Sequence, residues 1–200
     1  LTPLASSPCP LCPTLSPMLF LPYQRRWIED TSRLKLMEKS RQIGLSWCTA
    51  YACVRRVRPL GTERDVWVSS RDQAQAGLFL EDCQRFAEIL QLGTEAVVGE
   101  PLLDGSTRQS LVLCGGGRVH SMSSAPDAQA GKRGTRVLDE FALHREARRL
   151  FAVAYPGITW GGSLEVISTH RGRDHYFNQL VTEARHGGNP RGFSLHRVTL

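Results

Sequence analysis

Nowhere in the 200 residues of this chain do about 18 apolar residues follow one another, so a transmembrane helix is not written into it. A disulfide framework is missing too. The six cysteines are Cys9, Cys12, Cys48, Cys53, Cys83 and Cys114. Cys48, Cys53 and Cys114 fall in apolar segments, where a thiol acts as a small hydrophobe, and a reducing compartment fits best. Cys9 and Cys12 form one C-x-x-C, but no second pair or Cys/His cluster follows at zinc spacing. Residues 1–19 have no basic n-region, which argues against a signal peptide. Their prolines argue against a helix, so an irregular Pro/Ser-rich tail is expected there. The start at Leu1 reads as that of a fragment or of a poorly delimited reading frame.

What is present is a globular composition, 41% hydrophobic and 22% charged. With 25 Lys and Arg against 19 Asp and Glu, the formal net charge is +6. That surplus suits a polyanionic partner without establishing one.

The chain is organised around residues 36–47. The alternating run Arg33-Leu34-Lys35-Leu36-Met37 reads as a strand, and Cys48 to Val54 reads as a buried helix. Between them lies Lys39-Ser40-Arg41-Gln42-Ile43-Gly44-Leu45-Ser46. A strand, a tight loop and a helix N-terminus form an anion site from backbone N–H groups. Against the pattern G-x-x-x-x-G-K-[ST] the match is partial. Gly44 and Ser46 fit, Lys39 replaces the first glycine, and Leu45 stands at the usual lysine position. The phosphate cation is therefore expected at Lys39, with Arg41 as the other candidate. A plain basic strand-to-helix turn explains the same residues.

Upstream, Tyr23 and Gln24 are placed to serve adenine, the ring by stacking and the amide by reading its edge. Trp27 and Ile28 read as the core side of a helix start. Downstream, Asp65 to Ser70 reads as a second buried strand and Arg71 to Gln91 as a helix. Residues 93–107 read as a loop, and Leu111 to Met122 as a hairpin around Gly115-Gly116-Gly117. Val137-Leu138-Asp139-Glu140-Phe141 is an apolar strand ending in two carboxylates. Asp139 suits the Mg²⁺ shell opposite Ser46, and Glu140 suits activation of the attacking water. An exposed Asp-Glu turn is the plainer alternative. A helix near 146–154 follows, then Ser163 to His170, a strand ending in hydroxyls that can sense a γ-phosphate or simply cap the strand. Asp174 to Arg185 reads as a last amphipathic helix, and Phe193 to Val198 as one more strand.

Taken in order, these segments resemble the ATPase core of phage large terminase subunits, nearest the Mu-type prophage terminases, over about residues 20–200. The resemblance implies an α/β P-loop NTPase domain of the ASCE (RecA-like) type, a three-layer sandwich with a mainly parallel central sheet. It implies ATP and Mg²⁺ as cofactors. Gln24 would lie at adenine, Lys39 or Arg41 at phosphates, Ser46 and Asp139 on Mg²⁺, and Glu140 would be the catalytic carboxylate. Ser168-Thr169-His170 would be the coupling motif, and Arg133 would act near a neighbouring subunit's phosphates. The implied function is packaging of double-stranded DNA into procapsids in the bacterial host cytoplasm. The implied partners are a portal protein, a small terminase subunit and further copies in a ring.

Two features depart from that family. Leu45 leaves hydrolysis dependent on Lys39 or Arg41. After His170 no carboxylate cluster of a nuclease follows, so a motor half without DNA cleavage is expected. A superfamily 2-like helicase shares the same motifs but needs a second RecA-like domain, for which 200 residues leave no room. An inactive truncated prophage remnant is the other alternative.

Overall fold

The computed structural model describes residues 19–59, 61, 65–101, 107–122, 124–159 and 161–199. Cys9 and Cys12, and all but the last residue of the expected tail, lie outside them. Short strands rich in Val, Ile and Leu alternate with helices, the pattern that builds a parallel sheet covered on both faces. The strands are β1 (Leu34–Lys39), β2 (Asp65–Ser69), β3 (Thr94–Pro101), β4 (Thr107–Leu113), β5 (Arg118–Met122), β6 (Thr135–Leu138), β7 (Leu164–Ser168) and β8 (Ser194–Val198). The helices are α1 (Pro22–Glu29), α2 (Leu45–Val57), α3 (Gln73–Ile89), α4 (Ala147–Ala154) and α5 (Tyr176–His186). The strands form one sheet in the order β3-β4-β5-β2-β6-β7-β1-β8. Pairing is parallel from β5 through β8, and β3 and β4 extend the β5 edge as antiparallel strands.

Side chains of a strand alternate between faces, and the two apolar cores divide accordingly. Met37, Val66, Val68, Val119, Val137 and Ile167 pack with α1, α2 and α3, where Trp27 and Cys48 are fully buried. Leu36, Leu138, Leu164 and Val166 pack with α4 and α5 around Phe141 and Phe177. The first layer also encloses charge. Lys35 and Glu165 are fully buried and 3.0 Å apart, and Arg56 of α2 pairs with the same carboxylate. Lys35 further donates to the Trp27 carbonyl at 2.9 Å and lies over the Trp27 ring. A buried carboxylate is tolerable only with such partners.

Several expectations need correction. Residues 93–107 are largely strand: β3 occupies most of them. Every residue of β3 is exposed, and it pairs only with β4, so the backbone ladder holds it and no hydrophobic alternation marks it. β1 runs on through Lys39, whereas β7 stops at Ser168 and leaves Thr169 and His170 beyond it. Cys114 is exposed in the β4–β5 turn; among the described residues, Cys48, Cys53 and Cys83 are the buried thiols. The strand–loop–helix frame around residue 40 and the strand before Asp139 stand as read.

Candidate active site

In an open parallel sheet, a ligand site forms outside the carboxyl ends of the strands. Here β1, β7 and β6 are neighbours and deliver Lys39, Ser168 and Asp139 to one edge. Between β1 and α2 the chain turns through two left-handed residues, Gln42 at φ 55° and Gly44 at φ 67°. Glycine suits the second position because the Gln24 amide nitrogen would lie 3.0 Å from an added Cβ. Gly44 precedes α2, and the first helical bond runs from Cys48 N–H to the Gly44 carbonyl at 3.2 Å. The amides of Leu45, Ser46 and Trp47 thus belong to the turn without intrahelical acceptors, at the positive end of the helix.

The loop side chains divide by role. Ile43 and Leu45 are buried in the core and offer the site only their backbone. Ser40 lies at the turn, its N–H donating to the Val198 carbonyl at 2.9 Å, and Arg41 is exposed. Ser46 Oγ donates to Asp139 Oδ1 at 3.1 Å. Lys39 Nζ reaches Glu140 Oε1 at 2.5 Å, and its own side chain is only 4% exposed against 27% for the glutamate. Both loop residues singled out for phosphate and metal therefore touch the two strand-end carboxylates, across the intervening β7.

Burial dominates the electrostatics. It pushes the Asp139 carboxyl up to about 6, with the Glu140 charge adding to the effect and the Ser46 hydrogen bond and Lys39 opposing it. Glu140 has a left-handed backbone, φ 47° and ψ 46°, in a residue with a Cβ. Such a conformation costs on the order of 1–3 kcal/mol and persists where its surroundings enforce it. The turn after it donates from Ala142 N–H to Ser168 Oγ at 2.8 Å. The end of β7 is thereby bonded directly to the turn that carries Glu140.

Tyr23 and Gln24 are at the site, but in a different posture from the one expected. Tyr23 Oη donates to the Ile43 carbonyl at 2.6 Å. The Gln24 amide donates to Ile43 and Gly44 carbonyls at 3.3 and 3.0 Å and accepts from Leu21 N–H at 2.9 Å. Both side chains hold the loop, and donation to adenine from the Gln24 amide nitrogen would require exchange of one of its two bonds, whereas the amide oxygen keeps a second acceptor site. Thr169 and His170 extend past β7; His170 Nε2 lies 2.8 Å from Glu38 Oε1, a carboxylate that also pairs with Arg185 and Arg197. Arg133 is exposed, ahead of β6 rather than at its carboxyl end, and its carbonyl accepts from Trp67 Nε1 at 2.7 Å.

Sequence reasoning missed Glu38, the Lys35–Glu165–Arg56 group and His144. A signal for the first two was available: Lys35 and Glu38 interrupt an otherwise apolar strand, and a charge in a covered strand must find partners. Among the described residues, no cluster of three or more His, Cys, Asp or Glu is arranged to hold a metal. The oxygen donors Ser46 and Asp139 stand as a pair instead.

Comparison with known proteins decides the family. Residues 36–191 match the model for the N-terminal part of the terminase large subunit, T4likevirus-type. The chain belongs to this family. It is 34% identical over 192 residues to the probable terminase large subunit gp28 of Escherichia phage Mu, covering 91% of this chain and 34% of that protein. The terminase match thus spans about a third of its curated relative. Among solved structures, the large terminase ATPase domain of Thermus phage P74-26 superposes with a TM-score of 0.59 at 18% identity, covering 88% of this chain and 79% of that one. The large terminase of another thermophilic bacteriophage, in complex with ATP-γ-S, gives 0.56 at 13%, covering 88% and 43%. These likenesses show the fold, a P-loop NTPase with an eight-stranded, mostly parallel sheet. No helix among the described residues is long and apolar enough to cross a membrane.

Proposed function

We propose that this chain is the ATP-hydrolysing motor part of a large terminase, driving double-stranded DNA into a procapsid. The observation that carries the reading is the double contact of Lys39 with Glu140 and Ser46 with Asp139, which draws a phosphate loop and two carboxylates into one site. The terminase relative and the ATPase-domain likeness support it.

ATP would lie with its β- and γ-phosphates along residues 39–46, against the backbone amides at the start of α2. Lys39, from the end of β1, supplies the cation that Leu45 cannot, and Arg41 stands exposed as a second one. Mg²⁺ suits Ser46 and Asp139, a hydroxyl and a carboxylate already in contact, the oxygen donors this ion combines with phosphates and water. When bound, it would neutralise charge on the phosphoryl oxygens. Glu140 orients the attacking water and takes its proton. The γ-phosphate competes with Glu140 for the Lys39 ammonium, so nucleotide entry itself frees the carboxylate.

Tyr23 and Gln24 act on the nucleotide through the loop they hold. Ser168 reports on the Glu140 turn, and Thr169 and His170 carry that report outward. Arg133, exposed, suits the nucleotide of a neighbouring copy in a ring. A portal protein, a small terminase subunit and DNA are the partners of this reading, in the host cytoplasm. A Glu140→Gln variant tests the chemistry: ATP affinity stays within a few-fold and turnover disappears. Hydrolysis at the parent rate would remove Glu140 from its role.

A further inference from the structure

The peptide between Asp139 and Glu140 is held by a residue that neither the loop nor the carboxylates include. His144 is buried, and its Nε2 lies 2.9 Å from the Asp139 carbonyl oxygen. A carbonyl only accepts, so Nε2 must carry the proton of this bond. Burial lowers the pKa of the ring, which agrees with a neutral imidazole. The segment from Asp139 to His144 forms a tight turn closed by Leu143 N–H to the Glu140 carbonyl at 2.8 Å and His144 N–H to the Phe141 carbonyl at 3.2 Å. Three tethers then act on the left-handed Glu140. Lys39 holds its carboxylate, Ser168 accepts from Ala142, and His144 fixes the preceding carbonyl.

We propose that His144 is a positioning residue that sets the rotation of the Asp139–Glu140 peptide, and through it the aim of the Glu140 carboxylate. The inference rests on the ATPase reading of the site. Of the three tethers, two change partners or surroundings when nucleotide arrives: Lys39 meets phosphate, and Ser168 lies at the coupling strand. His144 is bonded to the Asp139 main chain, not to a group that would meet phosphate. On this proposal its bond stays while the other two tethers shift. Misaiming a carboxylate harms the transition state more than ground-state binding, so loss of the bond falls on kcat.

The test compares His144→Leu, which removes the donor, with His144→Gln, whose amide nitrogen reproduces the reach of Nε2. In ATP turnover by the chain, His144→Leu should lower kcat by about tenfold or more with KM for ATP within about twofold, and His144→Gln should recover most of the loss. Amide exchange at Ala142 and Leu143, measured without nucleotide, should quicken in His144→Leu and return towards the parent in His144→Gln. A parent-like kcat in His144→Leu overturns the proposal. So does equal impairment of the two variants, or a rise in KM that matches the loss in kcat. If the parent chain hydrolyses no ATP, the ATPase reading fails on its own account, and exchange rates that do not separate the two variants overturn the role of His144.

Discussion

Replacing Lys39 by Met is the sharpest probe of its proposed role as phosphate cation. The aliphatic stem survives in its buried setting, and only the ammonium bonded to Glu140 at 2.5 Å is lost. Glu140 keeps 27% of its side chain exposed, so water can take over its solvation. The cost in stability should therefore be about 1–2 kcal/mol, below the ~3–5 kcal/mol of breaking a fully buried pair. The effect on nucleotide should be larger. A hydrogen bond from a charged donor contributes about 1.5–3 kcal/mol. That corresponds to a Kd for ATP·Mg²⁺ raised roughly 10- to 150-fold. Glu140→Gln acts in the opposite direction: Lys39 no longer leaves a carboxylate to meet phosphate, so affinity stays level or tightens by a few-fold. The double variant should bind like Lys39→Met, because the gain from Glu140→Gln passes entirely through the lysine. Titration of a fluorescent ATP analogue with Mg²⁺, with circular dichroism to show that each variant folds, reads all four proteins. A Lys39→Met curve that overlays the parent refutes the reasoning, and loss of binding in Arg41→Ala would then assign the cation to Arg41. Ser40→Ala should weaken binding less than either.

Other consequences follow from the same contacts. His120 is pushed down to about 4 chiefly by burial, with Arg108 and Arg118 assisting and Asp65 opposing. A folded pKa below the unfolded ~6.5 means stability that is complete above that pH and lost as pH falls towards 4, about 3 kcal/mol in all. Denaturant titrations should show this loss in the parent and a flatter dependence in His120→Asn; an unchanged slope assigns the loss elsewhere. Glu165→Ala removes the carboxylate that faces the fully buried Lys35 and should cost about 3–5 kcal/mol, so a shift below ~1 kcal/mol would contradict the burial of Lys35 with Glu165. Tyr23→Phe removes the 2.6 Å bond to the Ile43 carbonyl and should cost about 1 kcal/mol while quickening amide exchange in the loop. DNA binding should be indifferent to sequence, fall steeply with salt and lie in the ~10⁻⁴–10⁻⁶ M range, with Arg171, Arg173 and His175 as candidate phosphate contacts. Tight, salt-insensitive and sequence-selective binding would point to a regulatory DNA-binding module.

The fold was legible where burial is two-sided. β1, β6 and β7 are short runs whose apolar residues serve two cores at once, β2 is a short run buried along Val66, Trp67 and Val68, and helices at 3.6-residue spacing separate these strands. β3 was not legible. Thr94-Glu95-Ala96-Val97-Val98-Gly99-Glu100-Pro101 leaves all its residues exposed, so no hydrophobic pattern selects it, and backbone bonds with the Glu100–Arg108 ion pair join it to β4. Cys114 misled for a related reason: it follows the apolar run of β4 in sequence, yet sits beyond the strand's end in the turn.

At the site, the legible residues are those whose chemistry is carried by their own side chains. Lys39, Ser46, Asp139 and Glu140 end or follow strands that a parallel sheet brings to one edge, so sequence order alone sufficed to bring them together. Tyr23 and Gln24 were placed near the nucleotide by the same logic, but their partners proved to be backbone carbonyls of the loop. A carbonyl has no letter in the sequence. His144 is the extreme case: its acceptor is the main chain of Asp139, five residues away around a turn whose left-handed step at Glu140 no residue type announces. Side chains that act on backbone are thus the ones that a reading of residue types passes over. In this site they hold the main chain on both sides of the charged groups: Tyr23 and Gln24 at Ile43 and Gly44, and His144 at Asp139.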